Sequence, residues 1–133
     1  MKKVLTVGVF DLFHIGHLNL FRRAKNYGDY LIVAVHNDLL MQKGKDFIYS
    51  LQERIDLISS LKMVDETVIY ERVDLLVAKT DFDVFVIGED QNHEYFQKAF
   101  QWCNENGKEL IMLKRTEGIS STLVRKVLEK KEI

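Results

Sequence analysis

Proline is absent from this chain of 133 residues, and no stretch is low in complexity, so proline-rich linkers and docking segments are excluded. The one cysteine, Cys103, cannot close a disulfide within the chain. That favours a reducing compartment. No run approaches the ~18 to 20 consecutive apolar residues of a membrane-spanning helix. The opening MKKVLTVGVFD sets two lysines before an apolar run that stops at Asp11, too short for the core of a secretory signal. A cytoplasmic protein without membrane insertion is therefore expected. An excess of one charge is also lacking: 19 basic residues face 20 acidic ones, for a net charge of -1. Polynucleotide binders carry a basic excess, so no nucleic-acid partner is expected. A small anionic ligand needs only a few local cations and stays open.

What is present is core material. Hydrophobic residues make up 47% of the chain, enough for one compact domain spanning 1–133 without staples. Short apolar runs alternate with amphipathic stretches. Strands are expected at Lys3–Val9, Tyr30–Val35, Glu66–Tyr70, Asp83–Ile87 and Glu109–Leu113. Helices are expected at His17–Tyr27, Leu51–Met63, Val73–Lys79, His93–Asn106 and Ser121–Lys130, the fourth stopped by Gly107. Near-continuous apolar strands separated by helices imply a parallel sheet covered on both faces. The fold class is therefore α/β, a three-layer doubly wound domain. Such sheets bind ligands beyond the carboxyl ends of their strands, where strand order reverses.

The segments after the strands carry the chemistry. The first is Gly8-Val9-Phe10-Asp11-Leu12-Phe13-His14-Ile15-Gly16-His17. A helix N-terminus attracts phosphate, Gly16 lets the backbone approach closely, and an i, i+3 pair of histidines can aim at one point. Two imidazole donors there could stabilise charge building on a phosphoryl group. They could equally pack or cap the helix. A zinc reading lacks both the glutamate of HExxH and a completing ligand. After the second strand, Asp38 is followed by Lys43 and Lys45, either phosphate contacts or solvated lysines. After the fourth, Gly88-Glu89-Asp90 could meet ribose hydroxyls, a base amino group or Mg²⁺, or form a polar turn. After the fifth, Arg115-Thr116-Glu117-Gly118-Ile119-Ser120-Ser121-Thr122 combines a tight turn, capping hydroxyls and an arginine that can pair with phosphate. A capped surface helix is the alternative.

GVFDLFHIGH resembles the G-x-F-D-x-x-H-x-G-H signature of the cytidylyltransferase-like nucleotidyltransferases, and RTEGISST resembles their R-T-x-G-I-S-T/S-T motif. The resemblance spans essentially the whole chain and is strongest to the short glycerol-3-phosphate cytidylyltransferases. It implies a Rossmann-like sheet of order 3-2-1-4-5 and transfer of a nucleoside monophosphate from CTP, with Mg²⁺, to a phosphorylated alcohol such as glycerol 3-phosphate. ATP as donor in an FAD-synthetase type of adenylyl transfer, choline or ethanolamine phosphate as acceptor, and a nucleotide-binding sensor are alternatives. On this resemblance His14, His17, Lys43, Lys45 and Arg115 are catalytic. Gly8, Val9, Phe10, Asp11, Gly16, Asp38, Glu89, Asp90, Thr116, Ser120, Ser121 and Thr122 line the nucleotide. Lys43, Arg54 and Lys62 meet the acceptor. The protein supplies no metal site of its own, and a homodimer is implied. Lys62 stands where the glycerol enzymes carry arginine, Val9 replaces a small polar residue, and Gln91-Asn92-His93 departs from their aromatic continuation. These departures bear on the acceptor rather than the reaction.

Overall fold

The computed structural model describes residues 1–37, 49–89 and 91–114. In chain order the elements are β1 (Lys3–Gly8), α1 (Ile15–Lys25), β2 (Tyr30–His36), α2 (Leu51–Ser59), β3 (Glu66–Tyr70), α3 (Val73–Lys79), β4 (Val84–Gly88), α4 (Glu94–Glu105) and β5 (Glu109–Leu113). The five strands form one parallel sheet in the order β3-β2-β1-β4-β5, as the resemblance implied.

The central strands are apolar on both faces because both faces are covered. Successive side chains alternate across the sheet. Val4, Leu31, Val33, Val35, Val84 and Val86 therefore share one face with Phe21 and Ala24 of α1 and Ile58 of α2. Leu5, Val7, Ile32, Ala34, Phe85 and Ile87 share the other with Val73, Leu76 and Val77 of α3 and Phe96, Ala99 and Cys103 of α4. Fully buried, Phe21 alone contributes about 1.5 to 3 kcal/mol. The chain runs outward from β1 to β3, then returns through α3 to β4 on the other side of β1. Strand order thus reverses between β1 and β4, and the carboxyl ends of these strands open a crevice.

Helices α1, α2 and α4 differ from expectation at their ends by one to four residues, and two of these differences have a visible cause. α1 starts at Ile15 rather than His17, because His14 supplies its cap. α2 stops at Ser59, four residues early: Ser60 turns its hydroxyl onto the Leu57 carbonyl (2.7 Å), and the chain bends into β3. The start of α2 is a capping box, with Ser50 Oγ accepting from the Glu53 N–H (3.1 Å) and Glu53 Oε1 accepting from the Ser50 N–H (3.0 Å). The helix expected over Ser121–Lys130 lies outside the described residues.

Thr6 sits at the centre of β1 with no exposed surface, and its hydroxyl has no hydrogen-bond partner among the described residues. A buried hydroxyl without a partner costs about 1 to 3 kcal/mol, and a methyl group of the same shape removes that cost. Thr6→Val is expected to raise stability by about 1 kcal/mol or more on urea unfolding. A loss of stability would mean that the hydroxyl is satisfied in solution.

Candidate active site at the carboxyl edge

The segment between β1 and α1 is bent by two residues in the left-handed region, Phe10 (φ 59°) and Leu12 (φ 49°). Each costs about 1 to 3 kcal/mol for a non-glycine residue. Burial of both side chains offsets that cost. The bend folds the Phe10 ring back against Gly8, where a Cβ would stand 2.7 Å from Phe10 Cζ. Only glycine leaves that space. Phe10 then meets Phe21 edge-on (centroids 5.2 Å apart) and His17 edge-on (5.3 Å), while Phe13 lies 5.3 Å from His17 on a tilted plane. The rings of Phe10 and Phe13 therefore fix the histidine that closes the motif.

His14 is the N-cap of α1, with extended backbone. Its Nδ1 accepts from the Gly16 N–H at 3.0 Å, and the Nδ1 of His17 accepts from the His14 N–H at 3.2 Å. The histidines thus do cap the helix, and capping decides what remains for chemistry. A neutral imidazole has one donor and one acceptor nitrogen. With each Nδ1 accepting a backbone N–H, the proton belongs on Nε2. The rings stack at 3.8 Å between centroids with 22° between planes. Among the described residues neither Nε2–H has an acceptor. Two parallel donors therefore sit side by side at a helix N-terminus whose first turn holds no acidic residue.

Both rings are held neutral. Burial lowers the pKa of His14 below the ordinary imidazole value. Burial, and then the neighbouring His14, push His17 down to about 3. A neutral ring of this kind can still donate its Nε2–H to a phosphate oxygen while its Nδ1 keeps the backbone N–H of the cap.

The other expected residues divide by place. Gly8, Val9, Phe10, Asp11 and Gly16 stand with the histidines in the same segment. Asp11 is buried, and its Oδ1 accepts from the Tyr49 N–H at 3.0 Å. Glu89 is exposed just past β4, across the crevice, where its N–H donates to the Leu113 carbonyl at 2.9 Å. Arg54 is not spread toward an acceptor. Its guanidinium is fully buried and donates to the carbonyls of Val9 (2.8 Å), His36 (3.3 Å) and Tyr49 (3.4 Å). Lys62 is exposed in the turn that enters β3, at the amino edge of the sheet. A strand of five residues, roughly 16 Å, separates that edge from the histidines' edge, so one chain does not bring Lys62 to them. Asp38, Lys43, Lys45, Asp90, Arg115, Thr116, Ser120, Ser121 and Thr122 lie outside the described residues.

Three contributors escaped sequence reasoning. Tyr49 acts through its backbone, which leaves no side-chain signal. Arg23 donates to the Lys114 carbonyl at 3.0 Å, tying α1 to the chain leaving β5 just before Arg115, yet it reads as one of several ordinary cations closing a helix. Phe13 occupies a variable position of the motif and showed no more than apolar character.

The lowered pKa of His17 carries a stability signature. Below pH 6.5 the unfolded imidazole binds a proton that the folded one refuses, so the unfolded state binds more protons and stability falls with pH. The contribution is fully present above pH 6.5 and is lost progressively as pH falls toward about 3. In His17→Asn, whose amide oxygen can replace Nδ1 as acceptor, the drop in urea-unfolding stability between pH 7 and pH 4 is expected to be smaller than in the parent protein. An unchanged drop would contradict the assignment.

Comparison with known proteins agrees with this geometry. The family model described as cytidylyltransferase-like matches residues 5–127. The chain is similar to a glycerol-3-phosphate cytidylyltransferase of Staphylococcus aureus, 42% identical over 137 residues, covering 99% of this chain and 98% of the relative. It is also similar to an FAD synthase of Thermococcus onnurineus, 36% identical and covering 92% of this chain and 77% of the relative. Among solved structures it is similar to a lipopolysaccharide core biosynthesis protein of Thermoplasma volcanium, with TM-score 0.71, 28% identity, and coverage of 87% of this chain and 97% of that one. With its motif histidines paired at the switch point of a 3-2-1-4-5 sheet and a family match over nearly its whole length, the chain belongs to the cytidylyltransferase-like family.

Proposed function

We propose that this enzyme transfers CMP from CTP to a phosphorylated alcohol, with glycerol 3-phosphate the first choice, and releases pyrophosphate. The observation that carries the reading is the pair of neutral Nε2–H donors of His14 and His17 at the mouth of α1. The glycerol-3-phosphate cytidylyltransferase relative supports the choice of acceptor.

Mg²⁺ would be brought by CTP and would offset the charge of its phosphates. Among the described residues no three His, Cys, Asp or Glu side chains cluster to hold a metal. A phosphate oxygen of the acceptor attacks the α-phosphorus in line. The bond from that phosphorus to the α,β-bridging oxygen breaks, and pyrophosphate leaves with the electron pair. His14 and His17 donate to the α-phosphoryl oxygens and the leaving oxygen, where negative charge grows. No protein nucleophile is required, and catalysis rests on position and charge neutralisation. In this reading Lys43, Lys45 and Arg115 hold phosphates, Thr116, Ser120, Ser121 and Thr122 add hydrogen bonds, and Asp38, Glu89 and Asp90 meet the nucleotide.

The reading includes a cytoplasmic homodimer. The exposed Ile69 on edge strand β3 supports pairing. No described helix is long and apolar enough to cross a membrane. The FAD synthase relative favours a second reading, adenylyl transfer from ATP.

Pyrophosphate release with Mg²⁺, crossing CTP and ATP against glycerol 3-phosphate, ethanolamine phosphate, choline phosphate and FMN, tests the proposal. Release with CTP and glycerol 3-phosphate is expected. Release only with ATP and FMN would establish the second reading, and nucleotide binding without release would indicate a sensor. His17→Ala is expected to fold and to lose about 10²- to 10³-fold in kcat, the usual effect of deleting one transition-state donor. Normal turnover by that variant would refute the mechanism.

A further inference from the structure

Arg54 was expected at the acceptor, yet its surroundings assign it different work. It lies in the first turns of α2, whose start is locked by the Ser50–Glu53 capping box, and its own N–H donates to the Ser50 carbonyl at 3.0 Å. From that fixed base the side chain runs inward, with no exposed surface, to carbonyls of three separate segments. Val9 belongs to the segment leaving β1, His36 ends β2, and Tyr49 precedes α2. A buried cation needs compensation, and these carbonyl dipoles supply it. Tyr49 is held at both of its backbone polar groups, its carbonyl by Arg54 and its N–H by Asp11. Val9, Asp11 and Tyr49 are thereby linked through one guanidinium.

The consequence for the site follows from Val9. The peptide whose carbonyl Arg54 holds leads into Phe10, the residue in the left-handed region whose ring packs edge-on against His17. Fixing the Val9 carbonyl fixes the orientation of that peptide, and with it the bend that delivers the Phe10 ring.

We infer that Arg54 is a positioning residue, a buried clamp that sets the Gly8–His17 segment against the end of β2 and the start of α2, and that it does not contact the acceptor. The planar fork matters beyond the charge, because Nη1 holds the Val9 and His36 carbonyls while Nε holds that of Tyr49, and the single nitrogen of a lysine cannot occupy both places. The kinetic part of this inference rests on the transferase reading above. The structural part does not.

Two measurements test it. The first compares Arg54→Lys with the parent in steady-state transfer. A clamp predicts a kcat lowered by roughly 10²-fold, the scale expected when catalytic groups are displaced by about 1 Å, with little change in KM for acceptor. A raised acceptor KM with kcat retained would overturn the inference, since that pattern marks lost ground-state binding. The second needs neither a variant nor turnover: the parent protein is treated under native conditions with phenylglyoxal, with and without glycerol 3-phosphate, and its peptides are read by mass spectrometry. The clamp predicts that Arg54 stays unmodified in both samples. Modification that glycerol 3-phosphate suppresses would overturn the inference. The labelling alone decides if Arg54→Lys does not fold, or if the parent protein proves inactive with every acceptor.

Discussion

The exchange of hydrogen bonds between His14 and His17 is the constraint around which the rest of the site is arranged. Each ring gives its Nδ1 to a backbone N–H at the start of α1. That exchange caps the helix, places the proton of each neutral ring on Nε2, and stacks the rings so that both donors stand together. Capping and catalysis are often weighed as competing explanations for a histidine at a helix end. Here the cap uses Nδ1 alone and leaves the proton on Nε2.

Everything around the pair serves to hold that exchange in place. The left-handed turn at Phe10 and Leu12 is costly, and it persists because burial of both side chains offsets the cost. Gly8 exists as glycine to leave room for the Phe10 ring. Arg54 and Asp11 gather the backbone of Val9, His36 and Tyr49 beneath the turn. The sheet contributes the location: a crevice between β1 and β4 beyond the carboxyl ends, with α1 on one face and α4 on the other.

The fold was legible because its signals are local and repeated. Short, β-branched apolar runs such as YLIVAV fit strands buried on both faces, and the described helices fell on the amphipathic stretches between them. The motif histidines were legible as well, with capping among their readings, though the helix start was placed two residues late, since periodicity marks helix interiors better than helix ends. Less legible were residues whose role depends on direction. Arg54 and Lys62 both read as acceptor cations from the resemblance. One points into the interior to satisfy strand-end carbonyls, and the other lies at the opposite edge of the sheet. A sequence records that a cation is present and says little about which way the backbone sends it. Tyr49 left no trace at all, because it acts through its peptide groups.

The most direct test is a long-range ¹H–¹⁵N correlation spectrum of the protein labelled at its histidines, recorded at pH 7. The two motif rings are predicted to be neutral, each with its proton on Nε2 and its Nδ1 unprotonated. A proton on Nδ1 of either ring, or a doubly protonated ring, would break the reciprocal cap and contradict the account of how this site presents its donors.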